Sequence, residues 1–260
     1  AAASNEKVLS EKVVYDEFAK KAVYDKIIRT QSEFDALIAS PTWLGATSVA
    51  LVGQFTYSVA NNSGIKVPAT VKQIHGFNNA KITVTNFVHN ATTAKGGLWY
   101  DTRPTTLDYS IRDLEVDCTG TGARGFSNCT NLTNCTGTGT AGSAGYGFSN
   151  CTNLTNCTGT GTGTVGYAYG FYSCTNLTNC TGAGTGSAGY GFSDCKNLTN
   201  CTGTGTGTVG YGYGFYAITT ASNCKDGGSS TNMWGGLNKN IDLDTCRKTP
   251  VEADNTELNT

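Results

Sequence analysis

The dipeptide Gly-Phe returns five times at nearly constant intervals, with its phenylalanine at Phe126, Phe148, Phe171, Phe192 and Phe215, in steps of 22, 23, 21 and 23 residues. Three residues after the first four comes a cysteine (Cys129, Cys151, Cys174, Cys195), then a leucine (Leu132, Leu154, Leu177, Leu198), then a second cysteine (Cys135, Cys157, Cys180, Cys201). This half of the unit keeps its length, and the glycine-threonine half absorbs all the variation. "SAGYGF" units alternate with "TVGYAYGF" and "TVGYGYGF", so the duplicated unit is a pair of coils.

A period near 22 is too short for helix-pair repeats, which run to about 33 residues or more. The segments also hold too much glycine and threonine to be helical. Two or three short strands with tight turns fill such a unit, and stacking the units about 4.8 Å apart makes a β-solenoid with one continuous core.

The last unit shows which positions face inward. After Phe215 the first cysteine position holds Ile218, the leucine position holds Ala221, and the second cysteine returns as Cys224. Isoleucine in place of cysteine marks an apolar site, and free cysteine packs as a small hydrophobe. The cysteines therefore read as interior thiol ladders, with disulfides the alternative. The total of eleven is odd, so at least one has no partner in the monomer. Without CxxC, and with only His75 and His89 as imidazoles, no metal centre is expected.

Asparagines recur too: Asn131, Asn153, Asn176 and Asn197 in one file, and Asn134, Asn156, Asn179, Asn200 and Asn223 in another. Ten repeat asparagines fit the N-x-S/T glycosylation pattern, but amide ladders at the turns are the expected role. Thr136, Thr158, Thr181 and Thr202 form one threonine file, and Thr140, Thr162, Thr185 and Thr206 another. Between them Thr138, Thr160 and Thr204 form a third, broken by Ala183. Alternate strand residues share a face, so these threonines form a flat hydroxyl-methyl grid. Tyr146, Tyr169, Tyr190 and Tyr213 stand two residues before each phenylalanine. On a straight strand they share its face, and core packing is expected of them.

Outside the repeats the pattern changes. Residues 5–29 carry an apolar stripe including Val13, Val14, Phe18, Val23 and Ile27, which predicts a helical arm. "SEFDALIAS" predicts a second, capping helix behind Thr30 or Ser32. From residue 46 strands alternate apolar and polar residues, and the 22-residue step from Val49 to Val71 sets the expected first coil. Cys246 lies 22 residues after Cys224 and closes the last. The divisions are an arm and capping helix over 1–45, irregular coils over 46–118, regular repeats over 119–224, and a last coil and tail over 225–260. The expected architecture is all-β: a single-stranded right-handed parallel β-helix of about nine coils, roughly 43 Å long.

The segments "TQSEFDALIAS" and "IKVPATVKQIHGFNNAKITVTNF", followed by the coils, resemble the right-handed β-helix, pectin-lyase-like superfamily. "GFYSCTNLTNCTG" is most similar to the non-enzymatic solenoids of phage tails and cell-surface proteins. The resemblance covers residues 30–224 and implies a trimer or fibre.

Charge narrows the functions. Only 14% of residues are charged and the net charge is −1, so nothing points to nucleic acid. No apolar run is long enough to span a membrane, and the start lacks the basic and apolar regions of a signal peptide. Between Thr119 and Asn223 the charged residues are Arg124, Asp194 and Lys196, too few for the paired carboxyls of a glycosidase. Asp101, Asp108, Asp113 and Asp117 either meet across adjacent coils or stand as solvated turn residues. No catalytic residue and no cofactor is expected. The expected role is a structural subunit, extracellular or on a virion, that pairs its open ends with other copies through the arm and tails, with a cell-surface glycan as a second partner. The threonine grid, similar to the TxT arrays of ice-binding solenoids, offers ice binding as an alternative. A tail-spike-like polysaccharide-degrading enzyme is the other.

Overall fold

The computed structural model describes residues 24–60, 62–89, 95–106, 108–227, 232–236, 241–242 and 245–246. They form an all-parallel β-solenoid of about nine turns. A representative coil consists of strands Thr152–Thr155, Thr158–Gly163 and Tyr167–Tyr172. Each strand pairs in register with its equivalent one coil on: Thr152 with Thr175, Thr158 with Thr181, Tyr169 with Tyr190.

Asparagine makes the bends. Asn150, Asn153 and Asn156 all have φ between 53° and 57°, and Asn176, Asn179, Asn197 and Asn200 repeat this. Asparagine enters the left-handed region more readily than other residues with a side chain. Three left-handed residues in each of these coils, with Ser173 and Asp194 taking the first place in two of them, fold a chain of β-formers around a core.

One half of the cross-section is that core, built from Phe148, Cys151, Leu154 and Cys157 and their equivalents, all buried. The phenylalanine rings stack along the rod with centroids 5.1, 4.8, 4.8 and 5.2 Å apart, and Trp234 extends the stack beyond Phe215. The other half is a blade in which two strands lie back to back with only glycine between them. A Cβ on Gly139 would stand 2.3 Å from the Tyr146 carbonyl oxygen, and one on Gly161 would be 2.4 Å from the carbonyl oxygens of both Gly145 and Tyr169. Gly-Thr alternation follows directly: glycine inward where backbone meets backbone, threonine outward.

The first coils depart from expectation in two ways. The predicted helix over residues 5–29 ends in a strand: Lys26–Ile28 pairs with Val49–Leu51, so Ile27 lies in the first rung rather than on a helical arm. The β-branched pair Ile27-Ile28 meets a sheet edge that needs a partner. Val13, Val14, Phe18 and Val23 lie outside the described residues. Val49 pairs with Ile74, 25 residues on, and not with Val71; further along the same ladder the register shifts between Val52 and Gln54, where Gly53 has a φ of 104°.

The second predicted helix spans Gln31–Ala39. Thr30 is its N-cap, in a capping box with Glu33. It buries Phe34 and Leu37, and Phe34 stacks on Phe55 at 4.8 Å. Among the described residues no helix is long and apolar enough to cross a membrane.

Candidate functional site

With phenylalanine, leucine and cysteine inside, the repeats present two blade faces and one polar edge. On the first face Thr136, Thr158, Thr181 and Thr202 stand in register, as do Thr140, Thr162, Thr185 and Thr206. Ala183 interrupts the middle file between Thr160 and Thr204. At the N-terminal end the files run into charge: Thr136 pairs with Glu115 and Thr138 with Asp117. Lys81 holds both carboxylates, at 2.8 and 3.4 Å.

The opposite face is tyrosine. Tyr146, Tyr169 and Tyr213 are half-buried and Tyr190 is buried, yet none of the four belongs to the continuous phenylalanine-leucine-cysteine core. The expectation of core packing fails because a glycine separates each tyrosine from its phenylalanine. Tyr146 pairs with Tyr169 and Phe148 with Phe171, while Gly147 drops out of the register. Gly147 and Phe148 are both buried, so the two-residue alternation is broken there. The four rings stack at 4.9, 5.1 and 5.9 Å, and Tyr172 and Tyr216 pack against their sides. Burial and the neighbouring phenols push the Tyr190 hydroxyl up to about 12. The Arg124 guanidinium covers the Tyr146 end of the column, 4.7 Å from that ring's centroid. Stacked rings shield one another's faces and offer edges and hydroxyls outward. At the blade tip every second coil adds an exposed pair, Val165 (80% exposed) with Tyr167 (55%), then Val209 (64%) with Tyr211 (57%). These are the largest apolar protrusions of the repeats. The alternation of "TVGYAYGF" with "SAGYGF" in the sequence encodes them.

The polar edge carries two amide ladders. Asn153 donates to Asn131 at 2.9 Å, Asn176 to Asn153 at 2.8 Å and Asn197 to Asn176 at 2.9 Å. In the second, Asn156, Asn179, Asn200 and Asn223 each donate to the asparagine one coil earlier, at 3.3, 3.2, 3.1 and 2.5 Å. Every amide points the same way, towards the N-terminal end. There Asn134 donates to Asp113 at 2.9 Å, and the other Asp113 oxygen meets His75 Nε2 at 2.9 Å. A carboxylate thus stands at the donor end of an aligned amide chain, as at a helix N-terminus. Tyr24 closes the chain on His75 Nδ1 at 2.5 Å, beside an open cleft of about 600 Å³. Burial lowers the His75 pKa despite Asp113.

The four clustered aspartates do not pair with one another. Asp101 pairs with Lys66, Asp108 with Lys72, Asp113 with His75 and Asp117 with Lys81.

All eleven cysteines are free and buried. Cys129, Cys151, Cys174 and Cys195 form one column, continued by Ile218. Cys135, Cys157, Cys180, Cys201 and Cys224 form the other, with Cys246 Sγ against the Cys224 amide nitrogen at 3.4 Å. Burial raises the thiol of Cys118 to about 12, and the neighbouring thiols Cys135 and Cys180 together with burial raise that of Cys157. Protonated thiols packed this way are inert. Among the described residues no three histidine, cysteine or acidic side chains are placed to hold a metal.

Comparison with known families detects the repeats. The model of the BspA type leucine rich repeat region matches in six copies, over residues 50–178 and 110–222. The chain belongs to the BspA-type leucine-rich repeat family. The match carries the stacked parallel coils of the expected solenoid, and it does not extend to the pectin-lyase-like superfamily or to phage tails. Within the matched residues the leucine file Leu132, Leu154, Leu177 and Leu198 is buried, each leucine standing between the two cysteines of its coil. The family match reaches back to residue 50, so the irregular early coils belong to the BspA-type array as well. No curated protein matches the chain.

Proposed function

We propose that this BspA-type solenoid is a non-enzymatic structural and adhesive element of a surface, and that it works through its blade rather than through a pocket. The observation that carries this reading is the tyrosine face, a column of in-register phenols four coils long, edged by the exposed pairs Val165–Tyr167 and Val209–Tyr211. Exposed aromatic and apolar side chains in regular array mark interaction surfaces. Repeats of this type are typically found at cell surfaces, which supports the setting. Binding of purified protein to intact cells and to cell-wall polysaccharides tests the reading. Tyr167→Ser with Tyr211→Ser is expected to lower binding at least tenfold and leave the fold unchanged. Equal binding by the double variant removes the tyrosine face from the function. Self-assembly into a fibre is a further part of this proposal, because a solenoid ends in open strand edges. Sedimentation over a concentration series tests it, and a strict monomer at every concentration ends it.

One observation favours a second reading, ice binding: the threonine files are in register on a flat, nearly charge-free sheet four coils tall. Thermal hysteresis of the purified protein decides it, and no hysteresis removes it.

A further inference from the structure

Where the tyrosine column begins, the charge pattern changes. Arg124 is half-buried against Tyr146, and no carboxylate among the described residues pairs with it. Its Nη2 lies 3.4 Å from His89 Nε2. Burial, with Arg124 and Lys95 nearby, lowers the His89 pKa and keeps the ring neutral. A neutral imidazole that accepts from the guanidinium at Nε2 carries its proton on Nδ1. That Nδ1 is buried with no hydrogen-bond partner, and so is the Arg124 Nε. On the strand paired with that of Arg124, the buried Trp99 Nε1 has no acceptor either, and the Lys95 ammonium lies 5.6 Å from the Trp99 ring centroid. Asp101, the acid on this flank, is taken by Lys66. Buried polar groups are normally satisfied, and here three donors on neighbouring segments, with the cations Arg124 and Lys95 among them, have no acceptor.

We propose that this corner, formed by His89, Lys95, Trp99 and Arg124, binds the oxyanion of an acidic saccharide whose neighbouring sugars lie along the tyrosine column. The inference rests on the adhesive reading and gives it a ligand class. An oxyanion supplies the acceptors that the three donors lack, and a guanidinium holds a carboxylate or sulfate in a forked pair of bonds. From Arg124 the column runs Tyr146, Tyr169, Tyr190 and Tyr213, four coil steps or about 19 Å at about 4.8 Å each, the span of a short oligosaccharide. Phenol hydroxyls and ring edges suit sugar hydroxyls, which explains why the column presents edges beside a charged anchor.

Calorimetry on the full chain tests the proposal with trigalacturonate, a neutral trigalactoside of equal length, inorganic sulfate and an acidic tripeptide. Trigalacturonate is expected to bind at least tenfold more tightly than any of the others. Arg124→Gln and Lys95→Gln are expected to weaken it at least tenfold and about threefold, with Arg124→Lys in between. Lys95→Gln leaves the Tyr146 stack untouched, so it reads the site even if Arg124→Gln disturbs folding. Equal binding of the neutral and acidic sugars, or trigalacturonate binding unaffected by Lys95→Gln, overturns the anion site and leaves the adhesive reading in place. Tighter binding of the acidic tripeptide overturns the saccharide class. No binding of any saccharide by the folded wild-type chain removes the inference and glycan adhesion together, and leaves the structural role.

Discussion

The early coils and the regular repeats share one backbone path but fill it differently. Along one interior file the residues run Ile82, Val116, Gly137, Gly159, Gly182, Gly203; along the next, Val84, Cys118, Gly139, Gly161, Gly184, Gly205. The same strand therefore stands off from its neighbour on side chains in the early coils and collapses onto bare backbone in the repeats. The outer face changes in step, from Lys81, Glu115 and Asp117 to threonine. The early coils are held by branched apolar packing and ion pairs. The repeats are held by backbone closeness, stacked rings and amide ladders, and they leave two flat faces free of charge. A thick coil suits a cap and a thin one suits a repeated surface.

The largest expected effect exchanges the two designs. Gly161→Val puts a branched side chain where even a Cβ lies 2.4 Å from three backbone atoms, with no flexible group to yield. Loss of more than about 4 kcal/mol is expected, read as collapse of cooperative unfolding in urea. Cys118→Gly moves the other way and is expected to cost only about 1–3 kcal/mol, as a cavity. If both variants cost the same, the contrast between filled and collapsed coils is wrong.

Next in size is the corner chemistry. Asn179 sits at φ 54°, donates to Asn156 and accepts from Asn200. Asn179→Ala loses the ladder and meets the steric cost of the left-handed region, together about 2–3 kcal/mol. Asn179→Gly keeps the conformation and loses only the amide, about 1–2 kcal/mol. Chemical denaturation of the pair separates the two contributions. Equal losses would mean that the left-handed φ contributes nothing.

The period, the inward ladders and the number of coils were legible in the sequence because a solenoid turns sequence separation directly into spatial contact. Phe126 through Phe215 could be aligned by counting alone. Three features were not legible. The strand at Lys26–Ile28 carries a helical stripe and becomes β only because an open edge lies beside it. The tyrosines leave the core because Gly147 and its equivalents interrupt a two-residue alternation that looks unbroken on paper. The cationic corner joins His89, Lys95 and Trp99, close in sequence, to Arg124 in the next coil, and these coils have no fixed period by which to align them.

A smaller effect distinguishes the two regions by pH. Burial holds His75 below its usual value of 6.5, so between that lowered value and 6.5 the unfolded chain binds more protons than the folded one. Stability is complete above 6.5 and falls as pH drops through the window. His89, lowered chiefly by burial, adds in the same direction. Both histidines lie in the early coils, so hydrogen exchange at pH 5 is expected to accelerate there first and leave residues 145–216 protected. His75→Gln is expected to flatten the dependence. Uniform loss of protection along the rod would show that the two regions unfold as one unit.

The smallest expected effect concerns the threonine face. In the middle file Ala183 already stands between Thr160 and Thr204, with the ladder undisturbed on either side. The hydroxyl at this position is therefore not needed for stacking, and the β-preference of threonine over alanine is worth only a fraction of a kcal/mol on a solvated strand. Thr160→Ala is expected to change stability by no more than about 0.5 kcal/mol in urea denaturation. Ala183→Thr, which completes the file, is expected to be equally quiet. If either variant shifts stability by several times that amount, the threonines are part of what holds the blade together. If both are silent, the hydroxyl grid is free to be selected for what it touches, and a change in thermal hysteresis or surface binding in the completed file would identify that role.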